Sequence, residues 1–257
     1  MADSQQIAIV RPVPDTLAGC ELTHQTRTPI DVERARHQHA AYVDMLGTLG
    51  CTVIQLPQLD AHPDSVFVED TMLVLPEVAI ALRPGAESRR GEVQSVTEHV
   101  MHYRPVHAID SPATVDGGDL LVIDRHIHIG LSSRSTTDGL DQLQQLLDPW
   151  GYTLHGIPID RCLHLKSAAT AIGNGAVLCN PDWIDPTLLQ ATSVIECDPS
   201  EPDGANALLV AGELVTGRFP KTNKRLQNAG HTIHALDLSE LAKAEGAVTC
   251  CSILLDA

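Results

Sequence analysis

The sequence predicts an α/β fold, a five-unit pseudo-symmetric α/β propeller in a single domain spanning 1–257. Two observations predict it. First, a polar residue followed by two short apolar strands around a turn recurs, with Glu69, Asp116, His164, Asn206 and Cys250 as its markers. The markers are separated by 47, 48, 42 and 44 residues, and a near-constant step of that size means stacked or ringed units rather than one irregular domain. Second, the last unit stops after one strand, and the N-terminal segment carries what it lacks. The two termini then complete one ββαβ unit and close a ring.

The first unit shows the grammar. Thr71–Leu75 and Val78–Leu82 read as strands around a turn at Pro76-Glu77. From Gly91 to Met101 the apolar residues Val93, Val96 and Val100 recur at helical spacing, and a short strand follows at Val106–Ile109. In the second unit, Leu120–Ile123 and His126–Gly130 form a hairpin. A helix from Thr136 to Leu147 follows, with Ser135 and Asp138 as a capping box. The third unit pairs Ala168–Ile172 with Ala176–Cys179 across a Gly173-Asn174-Gly175 turn. The fourth pairs Ala207–Val210 with Glu213–Thr216, and its helix runs Lys221–Asn228 to a stop at Gly230. The fifth joins Ser252–Leu255 to Ile7–Val10. Its helix spans Val32–Leu49, capped by Asp31, stopped by Gly50 and buried through Ala35, His39, Tyr42, Leu46 and Leu49.

Composition narrows the function. The chain carries 17 Lys and Arg against 33 Asp and Glu, a formal net charge of −16. That balance repels nucleic acid and anionic membrane, and favours a cationic small-molecule partner. No apolar run reaches the roughly 18 residues of a membrane span. The segment Met1–Gln6 has neither a basic region nor a long apolar stretch, so no secretory signal is expected. Seven cysteines without a CxxC spacing fit a reducing cytoplasm rather than a disulfide framework. Monomer and homodimer are both compatible with these properties.

A ring turns its markers toward one axis, and these markers carry chemistry. Cys250 is the candidate nucleophile, since a thiol attacks an electron-poor carbon best when its pKa falls near working pH. Cys251, its neighbour in a strand, faces the core. His164 is the candidate acid and base. Asp64, Glu69, Asp70 and Asp116 supply carboxylates that repel one another unless a cation lies among them, and a planar guanidinium suits them. Asp119 reads as a turn acid bonding backbone N–H groups. Arg89 with Arg90, and Arg134, sit just past the second strands of the first two units. There they either hold a substrate carboxylate or decorate the rim. His126 and His128 read as residues on the solvent face of a hairpin. They have no third ligand at a standard zinc spacing, and neither do His37 and His39.

The strings Pro63–Asp70, Arg83–Arg90, Thr114–Asp119, Gly130–Arg134, Leu163–Ser167 and Thr249–Ser252 resemble the dimethylarginine dimethylaminohydrolases of the guanidino-group-modifying (pentein) superfamily. They occur in order along nearly the whole chain. The resemblance implies hydrolysis of Nω-methylated arginine, asymmetric dimethylarginine or monomethylarginine, to citrulline and di- or monomethylamine. It implies Cys250 as nucleophile, His164 as general acid and base, and Asp116 as the residue orienting His164. Asp64, Glu69 and Asp70 would hold the guanidinium side, and Arg89 and Arg134 the α-carboxylate. Backbone carbonyls of Leu22 and Ala244 would take the α-amine. No cofactor or metal is required. Some bacterial members carry Glu where this chain has Asp116, one methylene shorter, which leaves its reach to His164 open. The alternatives are an arginine deiminase acting on free arginine and, from another class, a non-catalytic pentein binding protein. Arginine deiminases carry an inserted helical region for which this chain has no room, and the non-catalytic class lacks the Cys, His and acid set.

A thiol near an imidazole, as expected of Cys250 and His164, captures Zn²⁺. The expected outcome is citrulline release that falls on adding micromolar-range zinc and returns with a chelator.

Overall fold

Five three-stranded sheets make up the computed structural model, which describes residues 5–257. In each sheet the middle strand pairs antiparallel with the strand before it and parallel with the strand after it. The sheets are Met72–Val74, Ala79–Ala81 and Val106–Ala108; Leu120–Ile123, His126–Leu131 and Thr153–Pro158; Ala169–Gly173, Ala176–Cys179 and Ser193–Glu196; and Ala207–Val210, Glu213–Gly217 and Ile233–Leu236. The fifth combines Ile253–Asp256 with Gln6–Val10 and Thr52–Gln55. Its register sets Ile7 opposite Leu255 and Ile9 opposite Ile253, so the termini complete one unit as expected.

A parallel pair needs a crossover. Helices Val93–Val100, Thr137–Leu147, Pro220–Asn228 and Val32–Thr48 supply it in four units. The third unit crosses over through a 3₁₀ turn, Pro186–Leu188, which is why its sequence carries no helical period. Five apolar clusters fill the gaps between neighbouring sheets. Ile80 packs with Leu120, Ile127 and Leu143 between the first two units, while Ala79 and Ala81 on the opposite face pack with Ile9 and Ile253 of the fifth. Burial on both faces explains why the first and middle strands of the units read as continuous apolar runs, whereas outer strands such as Ser193–Glu196 are largely exposed.

Local chemistry departs from expectation at three places. The helix Thr137–Leu147 is capped by Thr136, whose side chain accepts from the Gly139 N–H, and not by Ser135. His128 is fully buried, with its Nε2 accepting from the Gln190 N–H at 2.9 Å, so it does not face solvent. His126 is half-buried and bonds His155 at 3.0 Å. The helix Val32–Thr48 follows the prediction through Asp31, which accepts from the Arg34 N–H, and through buried Ala35, His39, Tyr42 and Leu46, but Leu49 is its half-buried C-cap rather than a buried helical residue.

The units meet at the axis through short turns. One-turn helices Val68–Thr71, Gly117–Asp119, Leu165–Ala168 and Pro202–Ala205 precede the first strands of four units, and a turn over residues 248–251 does so in the fifth. Every marker lies in or beside one of these turns. At Gly117 the approach is closest, because a Cβ there would collide with the Glu69 carbonyl oxygen and the Asp70 Cα. Gly117→Ala should therefore cost about 1–3 kcal/mol of stability by overpacking against backbone. Gly47→Ala, in an exposed helical position with nothing within 4 Å, should add roughly 0.4–1 kcal/mol. Urea unfolding of the two variants checks both signs.

Candidate active site

Cys250 sits in the turn that precedes Ile253–Asp256, not within the strand. Its N–H bonds the Ala247 carbonyl at 3.2 Å, and its carbonyl accepts from Glu69 N at 3.2 Å. This ties the fifth unit's turn to the first's. Cys251 is fully buried, as expected, with its Sγ toward the Ala247 carbonyl at 3.5 Å. His164 caps the one-turn helix Leu165–Ala168 in extended backbone geometry. Cys250 and His164 line one cavity of about 20 Å³, together with Asp64, Asp70, Arg89, Arg134 and Ala244.

His164 is held on every side. Its Nε2 lies 3.1 Å from Asp116 Oδ2, so the shorter carboxylate reaches the ring. Its Nδ1 lies 3.9 Å from Asp70 Oδ1. A Cβ at Gly118 would strike the imidazole, so glycine lets the ring settle on that turn. Asp119 does not serve its own turn. Its Oδ1 accepts from the Leu165 N–H at 3.0 Å, fixing the backbone next to His164. Ser135 donates to Asp119 at 2.6 Å and accepts from the Asp116 N–H at 3.0 Å. Asp116 Oδ1 accepts from Gly85 N at 2.8 Å, which anchors the Arg83–Arg90 segment to the second unit.

The other predicted site residues divide in two. Asp64 and Asp70 line the cavity, and both are buried. Glu69 is not among the lining residues. Its Oε1 bonds Lys166 Nζ at 2.6 Å, and its buried Oε2 has no partner. Arg89 lines the cavity, but most of its donors are engaged. Nη1 bonds Asp70 at 2.5 Å, Nε and Nη2 bond Glu92 at 3.1 and 2.7 Å, and Nη2 also reaches the Asp64 and Phe67 carbonyls. One Nη1 hydrogen is left over. Arg134 is freer, with Nη2 on Thr23 Oγ1 at 3.0 Å and Nη1 3.7 Å from Asp116. Ala244 lines the cavity, whereas Leu22 packs against the fifth unit's core and its neighbour Glu21 takes the lining position.

Electrostatics set the protonation states. Burial pushes the Cys250 thiol up to about 12, and the charges of Glu69 and Asp70 add to the effect. Burial pulls His164 down, but the charges of Asp70 and Asp119 and the bond to Asp116 outweigh it and raise the imidazole to about 9. Burial pushes Asp70 up, yet His164, Arg89 and the Gly118 N–H bring it down to about 2. Burial raises Asp64 and Glu69, and carries Asp119 to about 7. At neutral pH the site therefore holds a neutral thiol beside an imidazolium. Among the described residues, the group able to converge on a metal ion is Asp70, Asp116 and His164, whose ligand atoms lie within 4.8 Å of one another; Cys250 is not part of it.

Sequence reasoning assigned no role to Lys166, Glu92 or Glu245 and misread Ser135 as a cap. Lys166 lay inside a recognised string, Leu163–Ser167, and a lysine two residues past the candidate histidine was its one visible signal. The bonds of Ser135 and Glu245 cross between distant segments, and no local pattern announces them.

Fold and site together define a cysteine hydrolase of the guanidino-group-modifying pentein class. The family model described as eukaryotic N,N dimethylarginine dimethylhydrolase matches residues 21–190. A dimethylarginine dimethylaminohydrolase from Streptomyces coelicolor is 37% identical over 98% of this chain and 97% of the relative. One from Pseudomonas aeruginosa is 32% identical over 87% of this chain and 89% of the relative. The solved structure of a cysteine-to-serine variant of the Pseudomonas aeruginosa enzyme with citrulline superimposes with a TM-score of 0.91 at 30% identity, covering 96% of this chain and 98% of that one. The chain belongs to the dimethylarginine dimethylaminohydrolase family. The N-terminal domain of ArgZ, a cyanobacterial arginine dihydrolase, shares the fold with a TM-score of 0.86 at 19% identity over 97% of both chains.

The raised thiol yields a spectroscopic prediction. A guanidinium in the cavity lowers the cost of a nearby negative sulfur. Ultraviolet thiolate absorbance, taken as wild type minus Cys250→Ser, should be near zero at neutral pH and should rise when a guanidinium ligand is added.

Proposed function

We infer that this protein hydrolyses Nω-methylated arginine, asymmetric dimethylarginine and monomethylarginine, to citrulline and di- or monomethylamine. The observation that carries the reading is the convergence of Cys250, His164, Asp64, Asp70 and Arg134 on one cavity. They do so in a chain aligned over 98% of its length with a dimethylarginine dimethylaminohydrolase. Asp64 and Asp70 face the guanidinium. Arg134, with the remaining N–H of Arg89, takes the α-carboxylate, and the carbonyl of Ala244, which lines the cavity where Leu22 does not, takes the α-amine. Glu69 contributes charge through its pair with Lys166 rather than direct contact.

The guanidinium is a poor electrophile, because its charge is spread over three nitrogens. Clamping it beside the sulfur supplies proximity commonly worth about 7–11 kcal/mol of barrier. Its charge also lowers the cost of a negative sulfur, so the Cys250 thiol loses its proton to solvent as the cation binds, and the thiolate forms a bond to the guanidinium carbon. His164, already protonated, gives its proton to the methylated nitrogen as that C–N bond breaks. A thiouronium remains on sulfur. The neutral imidazole then takes one proton from water as the oxygen adds to carbon, and the C–S bond breaks as the oxygen's second proton passes to the leaving sulfur, which releases citrulline and restores the Cys250 thiol beside a protonated His164. Asp116 and Asp70 hold the imidazolium through both half-reactions. Side chains meet every step, so the reading needs no cofactor.

The cavity is built from one chain, so monomer and homodimer alike can carry the reaction. All seven cysteines are free, which supports a reducing, cytoplasmic setting. Citrulline formation from asymmetric dimethylarginine should vanish in Cys250→Ser and persist in Cys251→Ser. Activity that survives the Cys250 change would overturn the reading. Asp116→Asn keeps the shape but weakens the hold on the imidazolium, and kcat should fall about 10²–10⁴-fold, the range general acid–base catalysis contributes.

A further inference from the structure

We propose that Glu245 is a positioning residue that latches the 20–27 segment over the substrate cavity and couples that segment to the Ala244 carbonyl. The proposal rests on the function inferred above for the cavity, and on geometry independent of it. The Glu245 carboxylate accepts three consecutive backbone N–H groups, Thr23 at 2.9 Å and His24 and Gln25 at 2.6 Å each. Consecutive N–H groups turned toward one anion form a nest. Here a side chain two hundred residues away in sequence fills it.

Beyond Cys20, which is buried in the core at its start, the segment has little else to hold it. Residues 23–27 are exposed, and Leu22 is half-buried. Its other ties are single bonds from Glu21 N to Asp64 at 3.1 Å, from Ser88 Oγ to Glu21 at 2.7 Å and from Arg134 to Thr23 at 3.0 Å, and the Arg27 bonds to the Ala18 and Cys20 carbonyls. Segments with few apolar contacts open first. Glu245 and Glu21 both line the cavity at Cys250. On its other side Glu245, with His24 and Gln25, borders an open cavity of about 600 Å³. The latch is thus the partition between the closed site and open space.

The backbone beneath Glu245 argues that its side chain is there for a purpose. The helix Ser239–Ala242 ends with Glu245 N on the Ala242 carbonyl at 3.0 Å and Gly246 N on the Leu241 carbonyl at 3.1 Å. That is the Schellman pattern, and Glu245 holds its left-handed position with φ +59°, where glycine is the usual occupant. The next residue, Gly246, packs so closely on Phe67 that a Cβ there would strike the ring. A glutamate in a glycine position works against the local backbone, while its carboxylate closes the lid.

Glu245→Gly separates the two effects, since glycine suits the backbone and removes the latch. The melting temperature should hold or rise. Amide hydrogen exchange at residues 23–25, read without substrate, should quicken at least about tenfold. KM should rise at least about tenfold while kcat changes less than about threefold, because the closed fraction scales apparent affinity. Glu245→Gln, which keeps one accepting oxygen, should restore part of both effects. Unchanged exchange at 23–25 in Glu245→Gly would overturn the latch, as would a KM equal to wild type. Should Glu245→Gly fail to fold, the same two readings on Glu245→Gln decide. If the wild type does not turn over methylarginine, the exchange measurement still tests the latch, and that failure falls on the function alone.

Discussion

The antiparallel pairing of Gln6–Val10 with Ile253–Asp256 is the closure on which the axis depends. Each unit positions its turn against the next, so the contacts form a circle. Cys250 accepts from Glu69 N, the turn at Gly117 packs on Glu69, and Lys166 bonds both Glu69 and the Gly117 carbonyl. Asn206 bonds the Lys166 carbonyl and Thr249, which returns the circle to Cys250. A ring open at one point would leave Cys250 without the floor that Glu69 and Asn206 give it. Local stacking propagates in repeat folds, but the proposed nucleophile and its proposed acid sit in the last and third units, so the proposed chemistry needs the whole circuit.

That circuit concentrates buried charge, which is costly unless each ion is paired and bonded. Arg89 is the counterweight in the first unit. It pairs with both Asp70 and Glu92 and ties down two backbone carbonyls. Removing one member of a buried ion cluster commonly costs about 3–5 kcal/mol, because the remaining charge is stranded. Arg89 therefore serves the scaffold first. Asp70, held ionised by Arg89 and the Gly118 N–H, in turn holds His164 protonated. The thiol feels the same field with opposite consequence: anions that favour the imidazolium disfavour the thiolate. The resting site is primed for proton delivery and waits for a cation to ionise its sulfur.

The ring was legible because its signal is periodic. Marker spacing, the incomplete fifth unit and alternating hairpins with helices all survive in one dimension. Cys250 and His164 followed from marker position, and the resemblance drew in the acids and arginines around them. What stayed hidden is what crosses between units. Ser135 looked like a cap because capping is local, yet its hydroxyl spans Asp119 and Asp116. Asp119 looked like a turn acid for the same reason. His128 looked exposed because a hairpin was taken as two-faced, whereas neighbouring sheets cover both faces. Lys166 and Glu69 are partners across 97 positions, and no spacing rule joins them.

Asp116 shows how fold geometry decides what side-chain length cannot. A carboxylate one methylene shorter than glutamate should fall short of the imidazole unless the two backbones approach. Here they do. The Asp116 backbone is drawn in by Ser135 and its carboxylate by Gly85 N, while glycines at 117 and 118 remove the side chains that would hold the turns apart. The result is a 3.1 Å contact between Asp116 Oδ2 and His164 Nε2. Reach in this site is therefore a property of two glycines and a serine as much as of the acid itself. Lengthening Asp116 to glutamate on this backbone would crowd the ring it serves.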